Sequence, residues 1–414
     1  MKRIIRLLGA ITCLLVLAAA ALAQQGREEV WKKQMEFASE ALRDNRANEA
    51  VLALQAAVGE AEKFGPQDPR LASTLFILGK YYFSQNQFLE ASTLLKRCIA
   101  IREANLGVNH PEVANTIDTL AAMYINEARG TEAEPLLKRS LDIRETTYGL
   151  EHPDVDASIN RLAGFYDIQG RYADVEPLLK RSLAMREKAL GPDHPAVAAA
   201  LNNLGVLYHK QGKLAEAEPL MKRAWTLREK AFGLQHPDVD SSVSSLASLY
   251  RDQGNYEQAE KLFMLAMSIR DNTLGKKNPM DPMLAAGLRE LAEVRIVLGK
   301  FVESQPLLER SLLIEENFVG KESPLLAVTL INLARVHLTQ QHYSEAEQLL
   351  KRTLAIKEKS LGAEHVSIAP RSPRWLKFCA SPAAPPRPNR STHAPKHFAP
   401  SRVQCRPSPA AGEP

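Results

Sequence analysis

The octapeptide EPLLKRSL occurs twice, at Glu134–Leu141 and Glu176–Leu183, with the copies 42 residues apart. Aligning the chain on that spacing exposes seven copies of one pattern, at 66–107, 108–149, 150–191, 192–233, 234–275, 276–320 and 321–362. Six have 42 residues. The copy at 276–320 has 45, with its surplus around Lys277-Asn278-Pro279-Met280-Asp281-Pro282. Each copy ends in glycine, and residues 24–65 read as a degenerate further copy ending in Phe64-Gly65. A fixed period of this size means stacked supersecondary units, each touching only its neighbours.

The copy at 192–233 shows what the unit is. Val197, Leu201, Leu204 and Tyr208 keep a three-to-four spacing, the apolar face of one helix. Gln211-Gly212-Lys213 breaks it, and Leu214, Ala217, Leu220, Met221, Ala224 and Leu227 line a second helix. Gly233 is expected just past that helix in the left-handed conformation, and Pro195 in the first turn of the opening helix. The unit is a helical hairpin and the chain is all-α. Pro135, Pro177, Pro219 and Pro306 share one position, expected in the first turn of the second helix or just past it. There the leading N–H groups lack internal partners and a proline loses little. The octapeptide recurs because each hairpin must offer its neighbours the same packing face.

Leu204-Gly205, Tyr208, Ala217 and Ala224 match the tetratricopeptide pattern, whose usual repeat has about 34 residues. The longer form here carries LG-x-x-HP-x-V between units, NNL(A/G)-x-x-Y in the first helix and EAEPL-x-KRAL in the second. It resembles the kinesin light chain repeat over about residues 24–365. That resemblance implies a right-handed superhelical solenoid of tetratricopeptide-type hairpins whose concave face binds peptides or partner proteins. A light chain of a cytoplasmic motor carries a heptad region ahead of its repeats. This chain departs from it there, so motor association does not carry over.

What stands there instead is a basic start (Lys2, Arg3, Arg6), an apolar run from Leu7 to Leu22 and a small-x-small site at Ala21-Leu22-Ala23. This is a secretory signal pattern, so residues 1–23 are expected to be removed and the chain exported, periplasmic or extracellular. The other reading is an uncleaved N-terminal anchor. No later segment is apolar for long enough to span a bilayer. Residues 363–414 form a Pro- and Arg-rich tail in which nothing can bury enough surface to fold. It reads either as a disordered basic extension or as a shifted reading frame, because a new repeat begins at Ala363-Glu364-His365 and dissolves. From Val366 onward the tail holds eight basic residues and one acid. With tail and leader set aside, the overall charge of +5 becomes −5 for the body, which does not advertise nucleic-acid binding. Without a capping helix, the last hairpin is expected to favour end-to-end self-association. Of the four cysteines, Cys13 leaves with the leader and Cys98 sits where other copies hold small residues. Cys379 and Cys405 lie in the tail, and no disulfide framework follows.

No catalytic residues emerge. HExxH, CxxC and GxSxG are missing, and Gly320-Lys321-Glu322-Ser323 lacks the phosphate-loop pattern. His110, His152, His194, His236 and His365 recur once per period. Neighbours one hairpin apart are about 16–20 Å from each other, whereas a zinc ligand lies about 2.0–2.1 Å from its ion. They read as helix-start residues. No metal or cofactor is expected, and the chain reads as a non-enzyme. The pairs Lys96-Arg97, Lys138-Arg139, Lys180-Arg181, Lys222-Arg223 and Lys351-Arg352 precede acids such as Glu103, Glu145 and Glu187, and local pairing is expected.

In the resembled fold the first helix of each hairpin lines the concave side. Counting from the Leu of each NNL-like triplet, residues one and two before it and two and five after it are expected to be exposed. Candidate groove residues are Asn160, Arg161, Asn202, Asn203, Val206, His209, Ser245, Ser248, Arg251, Asn332 and Arg335. Asp118, Thr119, Asp167, Ser244, Arg289, Glu290 and Glu293 hold equivalent places. Asparagine can both donate to and accept from a peptide backbone. The expected role is a protein-interaction scaffold for an extended peptide or partner protein. The other reading is a structural spacer acting through its ends and convex face.

Overall fold

The computed structural model of the chain describes residues 24–361. The leader 1–23, Gly362, the tail 363–414 and with them His365, Cys13, Cys379 and Cys405 lie outside the described residues. Sixteen α-helices run through the described residues, which contain no strand. They are α1 (24–43), α2 (Ala47–Glu62), α3 (Pro69–Ser84), α4 (Phe88–Leu106), α5 (Pro111–Asn126), α6 (Gly130–Tyr148), α7 (Pro153–Ile168) and α8 (Tyr172–Leu190). Then come α9 (Pro195–Lys210), α10 (Leu214–Phe232), α11 (Pro237–Asp252), α12 (Tyr256–Arg270), α13 (Pro282–Val297), α14 (Phe301–Val319), α15 (Ala327–Thr339) and α16 (Tyr343–Leu361). None is long and apolar enough to cross a membrane. The chain divides into two compact units, Met1–Met185 and Arg186–Pro414.

Within each unit the helices pair as antiparallel hairpins, and the second helix of one packs on the first helix of the next (α4 on α5, α10 on α11). First helices of successive hairpins also touch, α3 with α5, α9 with α11 and α13 with α15. The core follows the apolar stripes. Val197, Leu201 and Leu204 of α9 are buried, as are Ala217, Met221, Ala224 and Leu227 of α10. Gly205 lets those two helices close, since a Cβ there would meet Met221 Cγ at 2.8 Å.

Helix starts are capped by the recurring histidine. Nδ1 of His110, His152, His194 and His236 accepts the backbone N–H two residues on, at 3.1–3.2 Å. Asp68, Asp281 and Ser323 do the same work in their copies. Such a cap is worth about 1 kcal/mol. His152 also stacks on Tyr148 and His236 on Phe232.

Three sequence expectations are corrected. Gly233 has the expected positive φ, 82°, but with ψ 157° it is not left-handed helical and lies in a region essentially reserved for glycine. The recurring proline lies just past the first turn, the further of the two expected places, but as the sixth residue of its helix it does remove a ladder hydrogen bond. Thr93, Lys261 and Gln348 occupy that place in α4, α12 and α16, so the fold does not require it. The acids after the basic pairs bond across hairpins rather than locally. Arg139 pairs with Glu103, Arg181 with Glu145 at 2.5 Å, Arg223 with Glu187 at 2.8 Å and Arg352 with Glu316 at 2.6 Å. Lysines of the pairs bond backward on their own helix, as Lys138 does to Glu134 at 2.8 Å.

The octapeptide is thereby accounted for. Glu134 accepts from Lys138 and, in the following hairpin, from Tyr166 Oη at 3.0 Å and Arg171 at 2.7 Å. Leu137 is buried and Leu141 packs against Val155 and Ile159 of α7. Arg139 reaches back to Glu103, and the buried Ser140 donates to Asp118 at 2.5 Å.

Two predictions follow from these local geometries. The turn inside each hairpin has positive φ at Asn45, Asn86, Ala128, Gly170, Gly212, Gly254, Gly299 and Gln341. A left-handed alanine costs about 1–2 kcal/mol, against about 0.5–1 for the extra chain entropy of glycine. Ala128→Gly should therefore raise the unfolding free energy by about 0.5–1 kcal/mol in urea denaturation; no gain would refute strain at that turn. The second concerns acid. Hydrogen bonds from Lys138 and Arg171 hold the Glu134 carboxyl at about 2, below its ordinary 4.5. A lowered carboxyl stabilises above its unfolded pKa and loses that contribution as protons bind. Stability should fall as pH drops from about 4.5 towards 2, and Glu134→Gln should flatten that part of the profile.

Candidate functional site

Each first helix turns one side toward its own second helix and leaves another open. In the second unit the open sides of α9, α11, α13 and α15 carry a row of half-buried polar groups. His209 Nε2 lies 2.9 Å from Asp252 Oδ2, and Arg251 Nε donates to Asp252 Oδ1 at 3.0 Å. Arg251 Nη1 lies 4.0 Å from Glu293, which accepts from Asn332 Nδ2 at 3.2 Å. Helix to helix, the row reads His209, Asp252, Arg251, Glu293, Asn332. Beside it Asn203 is exposed, while Val206, Ser245, Ser248 and Arg335 are half-buried. Ser245 Oγ donates to the Ser241 carbonyl at 2.8 Å.

The electrostatics differ along this row. Burial pushes the Asp252 carboxyl up, but His209 and Arg251 outweigh it and leave the group lowered. Burial prevails at Glu290 and Glu293 on α13, whose carboxyls are raised despite the opposing charges of Arg251 and Arg289. Asp252 was missed by sequence reasoning. It ends its helix one residue beyond the last counted position, and only its spatial approach to His209, 43 residues earlier, reveals it.

The position two before the triplet Leu does not face the groove. Asn202 is buried, at 9% exposure, and Asn160 is half-buried with Nδ2 donating to Ser182 Oγ at 3.0 Å. Their column faces the second helix of the same hairpin. There Asp118 pairs with Arg144 at 2.8 Å, Ser244 accepts from Arg270 at 2.7 Å, and Phe76 lies under Arg102 at 4.8 Å. In α13 the charges are exchanged, and Arg289 pairs with Glu315 at 2.7 Å. Arg161, one residue on from Asn160, does reach the open side and bonds Asp118 at 3.0 Å.

Arg228 stands out in this column. Arg102, Arg144 and Arg270 each have a carboxylate partner, Glu112, Asp118 and Asp240. Arg228 instead gives hydrogen bonds to Ser241 and Ser242, and burial pulls its pKa down. Asn202 occupies the register of Asp118, and its buried Oδ1 has no partner. Among the described residues no three His, Cys, Asp or Glu side chains converge as a metal site.

Two sequence models, both of the tetratricopeptide repeat, match this chain, one at residues 112–188, 156–230 and 283–359, the other at 71–112 and 241–279. The chain belongs to the tetratricopeptide repeat family. A crystal structure from Podosopora anserina, of nearly identical kinesin light chain TPR-like repeats, is 29% identical. It covers 50% of this chain and 96% of its own, with a TM-score of 0.44. A signal-transduction ATPase with a tetratricopeptide sensor from Pyrococcus horikoshii is 15% identical with a TM-score of 0.54, covering 81% of this chain and 48% of its own. Aspartyl phosphate phosphatase F from Bacillus subtilis is 15% identical with a TM-score of 0.52, covering 75% and 77%. The last two share the fold. No curated protein matches the sequence. Tetratricopeptide arrays are protein-interaction scaffolds, and this repeat array has that architecture.

A carboxylate in the register of Asp118 should satisfy Arg228. Asn202→Asp is expected to stabilise the tetratricopeptide array by about 1 kcal/mol at neutral pH, with the gain lost on acidification as the new carboxylate protonates. Thermal unfolding at two pH values measures it; destabilisation at neutral pH would show that Arg228 does not face this position.

Proposed function

We propose that this chain is an exported, non-enzymatic interaction scaffold that takes an extended segment of a partner protein across the open side of α9, α11, α13 and α15. The observation that carries this reading is the row from His209 through Asp252, Arg251 and Glu293 to Asn332. It crosses four successive first helices and keeps donors and acceptors half-buried at the surface. Such groups are held in place by one another yet stay within reach of a peptide backbone, which limits the ordering cost of binding. Asn203, Val206, Ser245, Ser248 and Arg335 would flank the peptide. In the first unit, taken by itself, Arg161 lies on the open side of α7 and Asn160 supports its own hairpin through Ser182. Neither a nucleic acid nor a cofactor enters this reading. Export rests on the leader pattern at residues 1–23.

A spacer role through the edges has one observation in its favour. Leu190, Phe232, Leu234, Phe318 and Leu325 expose 39–70% of their surface near the junctions between hairpins.

The test is capture from an envelope extract with the mature chain as bait, beside a variant carrying His209→Ala, Arg251→Glu and Asn332→Ala. Helicity and unfolding midpoint are matched first. A prey recovered by the parent and reduced at least about tenfold by the variant supports the face, since losing two or three polar contacts at about 1 kcal/mol each has that effect. Equal recovery by both baits rejects it in favour of the exposed edges. N-terminal sequencing of the same native material should begin at Gln24, and a retained Met1 would reject cleavage.

A further inference from the structure

The first unit holds an open cleft of about 650 Å³ between the start of α2 and the end of α3. Its lining is Asn48, Val51, Leu52, Gln55, Tyr81, Tyr82, Gln85 and Gln87. In a chain of which 24% is charged, this lining contains no charged residue. The chemistry of the surface is confined to planar amides, phenols and two aliphatic side chains.

The phenols are fixed. Gln55 Nε2 donates to Tyr82 Oη at 2.8 Å, and Tyr81 Oη reaches the Ala47 carbonyl at 3.5 Å. The two rings meet edge to face with centroids 6.2 Å apart, and both are half-buried. Leu52 exposes 66% of its surface beside them. The amides of Asn48, Gln85 and Gln87 make no side-chain hydrogen bond among the described residues, so each offers two donors and an acceptor oxygen. Gln85 and Gln87 flank Asn86, held at φ 58° in the turn, so their backbone positions are set by the hairpin.

We propose that this cleft is a second binding site, for an uncharged oligosaccharide. A sugar ring has an apolar C–H face that suits an aromatic or aliphatic floor and a rim of hydroxyls that both donate and accept, as amides do. The cleft volume lies within the range of about 300–1,000 Å³ usual for small-ligand sites. A phosphate or carboxylate ligand would find no cation here. A peptide would find a row of first-helix donors in the groove but only scattered amides in this cleft.

The experiment is calorimetric titration of the full purified chain with chitotetraose and maltotetraose, beside a sulfated tetrasaccharide and an uncharged Gly-Ser peptide. A Gln85→Ala, Gln87→Ala variant tests the amides and Tyr81→Ala tests the floor. Unfolding midpoints of both are recorded, and the exposed glutamines should leave the midpoint unchanged. The expected result is saturable binding of at least one neutral tetrasaccharide, weakened about tenfold or more by the glutamine variant, with no binding of the sulfated sugar. No saturation at millimolar sugar overturns the proposal. So does binding that the glutamine variant leaves intact, equal binding of the sulfated sugar, or binding of the peptide in place of sugar.

Discussion

The contact on which the repeat array depends is a buried polar lock, an arginine of a second helix held by a carboxylate of a first helix, as at α4, α6 and α12. An arginine of the second helix, Arg102, Arg144 or Arg270, runs under the first helix and is almost wholly buried. Taking a guanidinium out of water is costly unless its donors are met, and a carboxylate of a first helix meets them in each case. Arg144 illustrates the reach. It bonds Ser158 in α7 at 2.8 Å while holding Asn115 and Asp118 in α5, so one side chain joins three helices. Apolar burial supplies most of the cohesion within and between hairpins. The lock differs from hairpin to hairpin, and between α13 and α14 Arg289 and Glu315 exchange the charges.

Much of this was legible in the sequence. The period of 42 placed the hairpins, and the apolar spacing in 192–233 identified its buried faces. What escaped has physical causes. A helix advances about 100° per residue, so Asn202 and Asn203, adjacent in sequence, point to different surroundings and only Asn203 is exposed. Counting from a motif leucine cannot tell whether the position two before it meets solvent or the second helix. Arg139 and Glu103 lie 36 residues apart, and their pairing needs the stacking of hairpins, which no local rule supplies. The cost of the proline was underestimated because its helix begins two residues after the positive-φ turn residue, which puts a proline seven residues past that turn at the sixth helical place, beyond the unpaired N–H groups.

The open side and the lock are made from adjacent columns of the same first helices, which limits how each can vary. Asp118 belongs to both, accepting from the buried Arg144 on one side and from the exposed Arg161 on the other. In the second unit the columns have separated. Asp252, Arg251 and Glu293 pair laterally on the open side, while Asp240 and Arg270 pair inside. A substitution on the open side of this unit can change that side's chemistry without disturbing the hairpin beneath. In the first unit, removing Asp118 would do both.

The three extra residues of the sixth copy show how such an array tolerates change. They enter beside Gly275, where the chain makes a single π-helical turn, Asp271–Gly275, in place of the positive-φ glycine of the other junctions. The insertion widens only the loop. Glu260 still finds partners in the next hairpin, Arg295 at 3.0 Å and Lys300 at 2.6 Å. They lie 35 and 40 residues on, whereas Glu134 finds Tyr166 and Arg171 at 32 and 37. Arg310 likewise takes Asp271 at 2.9 Å where its counterparts take glutamates. Both offsets are the same three residues. Helix-to-helix contacts have therefore been kept in space while the chain between them lengthened, and it is this spatial spacing that the recurring octapeptide preserves.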